Sequence, residues 1–272
     1  MKTDLKTNIK AIIARAYVRI VAANREPSWW LTETLLPILS TAAYVYVYKA
    51  LEAPEEYTGF VILGGTMSAY WIFVLWGMAA QFYWEKEIGN LELYMIAPIS
   101  RMSILLGMAL GGVFLATTRA VFIFLVGSLI FNVDFSIISF PKLFAVFILT
   151  LVGLYGLGML FSSLFMLYGR EAWHGVTLLQ EPVHLISGFF FPVKNLGFAV
   201  AFGASLIPLT LGLDAMRQLA FEAGAESGLI DVNLEIIALV VLCIFFLVIS
   251  KYAWDFMERL GKKEGRLTLR WQ

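Results

Sequence analysis

The chain has 272 residues, of which 60% are hydrophobic and 15% are charged, and its formal net charge is zero. Soluble domains have about 45–50% apolar and about 25% charged residues, so this composition excludes an ordinary cytosolic enzyme and a disordered chain. The charge balance argues against a nucleic-acid-binding protein, and the single cysteine, Cys243, excludes an intrachain disulfide. The composition instead predicts a protein that crosses a membrane several times.

Residues 1–28 form a polar and basic N-terminal segment. Apolar residues recur on one face of this segment at helical spacing, with Lys and Arg beside them: Leu5, Ile9, Ile12, Ile13, Ala16 and Ile20. The pattern predicts a cytoplasmic amphipathic helix that lies on the membrane surface, and a soluble helix packed on a partner is the alternative. The segment does not have the pattern of a secretory signal, so we expect targeting to come from the membrane spans.

Six apolar stretches follow, over residues 29–48, 59–84, 102–131, 143–168, 172–191 and 236–254. They predict an all-α membrane domain of six transmembrane helices within residues 29–254. A basic cytoplasmic tail is expected over residues 255–272.

Residues 195–213 lie between the fifth and sixth stretches and are uncharged but interrupted by Gly and Pro. This pattern suits short re-entrant helices as well as a kinked span, with Pro192 and Pro208 at the bends. With six spans, fifteen of the twenty Lys and Arg residues fall on the side of both termini and four on the other. The positive-inside rule therefore favours six spans, cytoplasmic termini and an external re-entrant region over 193–230.

Motifs of catalysis and nucleotide binding are missing from the sequence. It contains no G-x-x-x-x-G-K-[ST], no G-x-S-x-G and no H-E-x-x-H. Its two histidines, His174 and His184, are ten residues apart, which is not the spacing of ligands on one helix face. We therefore predict no catalytic residue, no metal site and no cofactor bound by this chain.

The segment 85–101 after the second stretch contains Glu85, Glu87, Gly89, Glu92 and Pro98. By composition it is either a solvated loop or a short amphipathic helix that ends before the proline. Its spacing resembles the acidic E-x-E-x-G-x-x-E segment, followed by a proline, of type-2 ATP-binding-cassette (ABC) transporter permeases. The sequence departs from that pattern mildly, with an asparagine at position 90 where Thr or Ser is commoner.

A second resemblance to the same family lies between the last two spans. The sequence G-F-F-F-P at 188–192, P-L-T at 208–210 and D-A-M-R at 214–217 is similar to the family's G-x-x-F-P, P-L-T and D-x-x-R region. The two motifs occur in the family's order, and the six-span layout agrees along nearly the whole chain. The sequence is most similar to the drug- and lipid-exporter branch of the family.

The resemblance implies a permease that works with two cytosolic ATPase subunits, which bind ATP and Mg, and with a second permease subunit. Segment 85–98 would be a coupling helix docked on the ATPase. Glu85, Glu87 and Glu92 would then pair with basic groups of the partner, and Leu91, Leu93 and Ile96 would supply the apolar anchor. The N-terminal helix would be a connecting helix along the inner leaflet, and the re-entrant region would cap the pathway outside.

Two charges lie mid-way along predicted spans, Arg119 in the third and Glu181 in the fifth. Charges at that depth are costly unless they are paired or hydrated, so we expect the two to form a pair or to line the transport pathway. A pair that only fixes helix packing is an equal alternative. Asp214 and Arg217 are three residues apart and are expected to pair on one helix.

The second span carries four aromatic residues that are candidates for a substrate pathway: Tyr70, Trp71, Phe73 and Trp76. Packing against lipid or a partner subunit is the alternative. Taken together, the sequence predicts the permease of an ATP-driven exporter for an amphiphile, a drug, a lipid or a glycolipid in a prokaryotic plasma membrane. An exporter of polysaccharide or lipid-linked glycan and a membrane-embedded lipid-modifying enzyme are the alternatives, and the sequence leaves open whether the second permease is a copy or a paralogue.

Overall fold

A computed structural model describes residues 4–25, 27–165, 171–222 and 224–264. Every regular element within these ranges is helical, as predicted. The α-helices are α1 (Leu5–Asn24), α2 (Pro27–Ala50), α3 (Glu56–Ile72), α4 (Gln81–Glu87), α5 (Asn90–Ile96), α6 (Arg101–Phe131), α7 (Phe140–Phe165), α8 (Glu171–Ile186), α9 (Phe198–Ala204), α10 (Pro208–Ala220), α11 (Gly224–Ser227) and α12 (Val232–Glu264). The predicted end of the fourth span at 166–168 and residues 265–272 of the predicted tail lie outside the described residues.

Four helical stretches are long and apolar enough to cross a membrane: Glu56–Glu87, Arg101–Phe131, Phe140–Phe165 and Val232–Glu264. At 1.5 Å per residue the shortest is about 39 Å long, which exceeds a hydrocarbon core of about 30 Å. They coincide with the predicted second, third, fourth and sixth spans. The chain is therefore a multi-pass membrane protein.

Two further predicted spans have a different form in the structure. The first falls in α2, which is 24 residues long and contains Glu33 and Pro37. The fifth falls in α8, which has 16 residues and is therefore about 24 Å long. By length and composition the described residues supply four spans, or five if the α9–α10 pair is counted, so the count of six remains a prediction.

The predicted re-entrant stretch forms two helices that meet at a sharp angle. α9 and α10 are bent by 108° at the break between them. Pro208 is the first residue of α10, where its missing N–H removes no helical hydrogen bond, and Ile207 before it is extended. A break of this kind belongs to a re-entrant loop or a broken span.

The two ends of the bundle carry different elements. We call the end with α1, α4 and α5 the proximal end and the end with α9, α10 and α11 the distal end. At the distal end α10 is buried along its entire length. The backbone N–H groups of Ser136 and Ile138, in the loop after α6, donate to the carbonyls of Ala220 and Leu219 at 3.0 Å each.

At the proximal end α1 packs along the first turns of α6 because two glycines leave room for it. A Cβ atom on Gly107 would lie 2.7 Å from Cβ of Arg15, and one on Gly111 would lie 3.2 Å from Cβ of Arg19. The two glycines are four residues apart, the small-residue spacing that allows helix backbones in membranes to approach closely. Asn8 of α1 also contacts the start of α6, since its Oδ1 accepts a hydrogen bond from the Ser100 N–H at 2.8 Å.

Substituting Gly64 with alanine should strongly destabilise the protein. A Cβ atom there would lie 1.4 Å from the backbone carbonyl oxygen of Phe189, so the loop before Pro192 would have to move. We expect Gly64→Ala to cost about 3 kcal/mol or more, measured as a lower melting temperature of the purified protein in detergent. Gly203→Ala is the matched control, since nothing lies within 4 Å of its added Cβ; an equal loss in both variants would contradict this account.

Candidate functional site

The segment that resembles a coupling helix folds as two short helices rather than one. α4 ends at Glu87, and Gly89 beyond it has φ +78°, in the left-handed region that glycine adopts without strain. α5 then begins at Asn90 and ends before Pro98, as the sequence predicts, with Ala97 extended at ψ 138°. The glycine of the motif therefore produces the turn between α4 and α5.

Glu85 lies at the centre of a polar cluster at the proximal end, and only 2% of it is exposed. Arg15 of α1 forms an ion pair with its carboxylate. Three more side chains donate to the same carboxylate, from Gln81 Nε2 at 2.7 Å, Asn90 Nδ2 at 2.9 Å and Tyr94 Oη at 3.1 Å. One carboxylate therefore joins α1, α4 and α5.

Aromatic contacts complete this cluster. The guanidinium carbon of Arg15 lies 5.5 Å from the centroid of the Tyr94 ring, within range of a cation–π interaction. Burial and the nearby Glu85 carboxylate raise the pKa of the Tyr94 hydroxyl to about 12. The hydroxyl therefore keeps its proton at neutral pH and remains a donor to Glu85.

This arrangement corrects the expectation for two residues of the segment. Glu85 was expected to pair with a partner protein, but its carboxylate is buried and held by α1. Leu91 was expected to anchor the partner, but it is fully buried in the chain's own core. The sequence motif does not distinguish these residues, since the helix face that each occupies depends on the turn at Gly89.

Five other residues of the segment form an exposed surface. Glu87, Glu92 and Pro98 are exposed, and Leu93 and Ile96 keep 59% and 79% of their surface accessible. These five residues are available to a partner, and we call them the α5 surface.

Arg119 of α6 forms an ion pair, but not with the predicted residue. Its partner is Glu33 of α2, while Glu181 is exposed on α8 and accepts a hydrogen bond from Gln180 Nε2 at 3.1 Å. The predicted Arg119–Glu181 pair is therefore wrong. That prediction rested on the similar depth of Arg119 and Glu181 in the membrane. Depth does not reveal that α6 packs beside α2.

The four candidate aromatics of the second span mostly face the chain's own core. Tyr70, Trp71 and Phe73 are 2%, 0% and 6% exposed. Tyr70 Oη donates to Thr117 at 3.0 Å, and Trp76 Nε1 donates to Gln180 at 2.7 Å. Phe73 begins a π-helical segment, Phe73–Ala79, which continues α3. Their buried positions fit helix packing better than an open pathway within one chain.

At the distal end Arg217 of α10 is 2% exposed and donates to three backbone carbonyls. These belong to Phe189 at 2.8 Å, Phe191 at 3.1 Å and Phe60 at 3.3 Å. Its guanidinium carbon also lies 5.4 Å from the centroid of the Phe60 ring. Arg217 therefore fastens α10 to the start of α3 and to the loop that ends at Pro192.

The sequence led us to expect an ion pair between Asp214 and Arg217, but the two side chains have different partners. The Asp214 carboxylate accepts from the Leu229 N–H at 2.7 Å and from Gln218 Nε2 at 3.1 Å. Arg217 instead donates to the three carbonyls, which its fork of N–H donors can bind together. Asp214 and Arg217 thus hold different parts of the distal end in place.

Two adjoining cavities of about 300 and 230 Å³ also lie at the distal end. Both are lined by Glu56 and Asp134. In the part of the chain that the structure describes, no group of three or more His, Cys, Asp or Glu side chains is arranged to hold a metal ion.

Comparison with known proteins identifies a family and a partial relative of the chain. Residues 7–221 match the family model described as ABC-2 type transporter. Over 114 residues the chain is 30% identical to "Probable multidrug ABC transporter permease YbhR" of Escherichia coli, in two strains. The matched segment covers 41% of this chain and only 30% of that relative.

Removing the Glu85 carboxylate should destabilise the proximal end, because Arg15 is left without its counter-charge. We expect Glu85→Ala to cost about 3 kcal/mol, the usual loss when one partner of a buried pair is removed. Chemical denaturation in detergent measures this loss. Lys262→Ala is the control, since its ion pair with Glu258 is 56% exposed on the lysine side and should be worth less than about 1 kcal/mol. Equal losses would argue against a buried pair.

A charge swap distinguishes the two possible partners of Arg119. Arg119→Glu alone should lower both the amount of folded protein and its melting temperature, because two carboxylates then face each other. Adding Glu33→Arg should restore much of that loss, whereas adding Glu181→Arg should restore none of it. Recovery with the position 181 swap, and not with the position 33 swap, would overturn the ion pair seen here.

Proposed function

This chain belongs to the ABC-2 type transporter family, and we propose that it is the permease subunit of an ATP-driven exporter. Its substrate is an amphiphilic molecule, a drug or lipid, moved outward across the plasma membrane of a prokaryote. The observation that carries the proposal is the exposed α5 surface. It lies on the α4–α5 segment, which the buried Glu85 holds against α1. The multidrug name of the partial relative supports the substrate class.

ATP hydrolysis belongs to partner subunits in this proposal. The sequence contains no phosphate-binding loop of the G-x-x-x-x-G-K-[ST] type, so ATP and Mg bind to two cytosolic ATPase subunits. A second permease subunit, either a copy or a paralogue, completes the membrane pathway. This chain contributes transport and coupling, and not catalysis.

The α5 surface is the proposed docking site for an ATPase subunit. Leu93 and Ile96 are exposed apolar side chains that a groove in the partner would bury. Glu87 and Glu92 stand beside them and would pair with basic groups on the partner, which mainly directs orientation and association rate. The proposal no longer includes Glu85 or Leu91, which face inward.

The buried Glu85 network would transmit the movement of the docked ATPase. Because Glu85 ties α4 and α5 to Arg15 of α1, a displacement of α5 moves α1 as well. α1 packs on α6 through Gly107 and Gly111, so the displacement reaches a membrane-spanning helix. The Glu85 carboxylate accepts from four side chains, and such a network is rigid, which suits this role.

We also propose the membrane topology that the sequence predicts. α2 and α8 would serve as the first and fifth of six spans, with residues 29–254 as the membrane domain and both termini in the cytoplasm. α1 would lie at the inner membrane surface, and its outer face carries exposed apolar and basic side chains: Leu5, Lys6, Ile9, Lys10, Ile13, Tyr17 and Val18. The α9–α10 pair would form an external re-entrant cap within 193–230.

Reversing the charge of Glu87 should uncouple ATP hydrolysis from transport. Glu87→Arg places a cation on the α5 surface, where basic groups of the partner would repel it, while the exposed position leaves folding unaffected. We expect normal membrane insertion, an ATPase pull-down weakened about tenfold, and loss of transport. The control is Glu222→Arg, an exposed glutamate at the distal end, which should leave both unchanged.

The decisive experiment for the function is reconstitution with the ATPase. The chain and its ATPase subunits should purify together and show substrate-stimulated ATP hydrolysis in liposomes. Failure to co-purify with any ATPase would contradict the proposal. Normal transport and pull-down by the Glu87→Arg variant would contradict only the assignment of the α5 surface.

A further inference from the structure

Arg19 is a cation without a carboxylate partner at the proximal end of the bundle. Its guanidinium donates one hydrogen bond, from Nη1 to Gln81 Oε1 at 2.9 Å. Its Cζ lies 4.9 Å from the centroid of the Phe73 ring, and its Nε is buried without a hydrogen-bond partner. Burial and the neighbouring Arg15 lower the pKa of Arg19 to about 10, so the group still carries its charge at neutral pH.

The charges around Arg19 do not balance. Three guanidiniums, of Arg15, Arg19 and Arg119, lie near one another, and among the described residues two carboxylates accompany them. Glu85 is paired with Arg15 and Glu33 with Arg119, so both carboxylates are already engaged. One buried positive charge is left over, and such a charge is costly unless an anion meets it.

Unused hydrogen-bond donors surround the same aromatic ring. Arg119 lies with its Cζ 5.7 Å from the Phe73 centroid, on the ring that Arg19 also contacts. Its Nε is buried without a partner, and so is the hydroxyl of Tyr155, a residue only 4% exposed. Tyr155 and Phe73 meet over Gly112, whose added Cβ would lie 3.2 Å from Tyr155 and 2.6 Å from Phe73.

These donors lie near the level of the proximal membrane boundary. Counted back from Asn132 at the end of α6, about 20 residues fill a hydrocarbon core of about 30 Å. The boundary then falls near Gly111, against which Arg19 packs. The backbone of Arg119 lies about 12 Å deeper, but its guanidinium carbon reaches to 5.7 Å from the centroid of the Phe73 ring, which faces Gly112. Phospholipid phosphates occupy this level, and Arg and Tyr donors suit their oxygens.

We propose that Arg19, Arg119 and Tyr155 form a binding site for a phosphate group at the proximal end of the bundle. The site takes one phosphate whose oxygens accept from the free Nε atoms of both arginines and from the tyrosine hydroxyl. The ligand reaches it between α1 and α2, where Glu33 keeps 31% of its side chain exposed. Exposed Lys6 and Lys10 on α1 attract anionic headgroups to this side.

Two sources can deliver that phosphate, an anionic phospholipid headgroup and free inorganic phosphate. The depth of the site favours the headgroup, because acyl chains then remain in the membrane. The site serves as a lipid-binding site whether or not the lipid is transported. Binding therefore stands or falls independently of the proposed export function, since its measurement needs neither an ATPase nor transport.

The test uses the purified full-length chain in neutral detergent. Short-chain phosphatidylglycerol, the phosphate-free diacylglycerol of the same chain length and inorganic phosphate are each titrated, with affinity and melting temperature as readouts. The variants are Arg19→Gln and Tyr155→Phe. The matched control is Arg25→Gln, which removes an equal charge from the exposed end of α1.

We expect phosphatidylglycerol to bind and raise the melting temperature, and diacylglycerol to have no effect. Arg19→Gln should weaken binding about tenfold or more and Tyr155→Phe about fivefold, while Arg25→Gln changes it less than about twofold. Without lipid, Tyr155→Phe should melt at or above the wild-type temperature, because it removes an unsatisfied buried donor. A purely structural role would lower it.

The remaining outcomes are equally specific. Arg19-dependent binding of inorganic phosphate with the same affinity would support the site and assign it to the free ion. Wild-type affinity in Arg19→Gln would overturn the proposal. An equal loss in Arg25→Gln would also overturn it, since binding would then depend only on surface charge.

Discussion

The proximal end depends on one buried carboxylate. Glu85 is costly to bury as an anion, and the cost is offset only because Arg15, Gln81, Asn90 and Tyr94 all converge on it. That requirement fixes α1 against α4 and α5, and so determines which residues of the segment face outward. The exposed α5 surface exists because Glu85 turns inward.

The cost of burying a charge without partners also organises the rest of the bundle. Apolar contact alone distinguishes poorly between helix and lipid, so close backbone approach and polar pairs must select the neighbours. Gly107 and Gly111 admit α1 beside α6, Glu33 pairs with Arg119 across α2 and α6, and Arg217 holds three carbonyls at the distal end. Each buried charge thus specifies a contact between helices. Arg19 also contacts another helix, through Gln81 of α4, but among the described residues it has no carboxylate partner, which is why it points to a ligand.

Proximal and distal ends therefore differ in how they are held. At the proximal end one ion pair joins α1 to α4 and another joins α2 to α6. This end also exposes the α5 surface, which a partner can bind. At the distal end Arg217 and Asp214 mainly bind backbone groups, which fixes the bent α9–α10 pair. Such an arrangement suits a transporter that receives force at one end and keeps a cap at the other.

The sequence by itself determined the all-helical membrane class, four of the spans, the end of α5 before Pro98 and the family. Long apolar runs, a proline and local motif spacing carry that information because they act within one segment. Only the tertiary structure decided the partners: Glu85 with Arg15, Arg119 with Glu33, and Arg217 with backbone carbonyls. Those choices join residues 26 to 157 positions apart, and Arg15 and Glu85 are separated by 70. They depend on helix neighbours and rotation, which hydropathy does not encode.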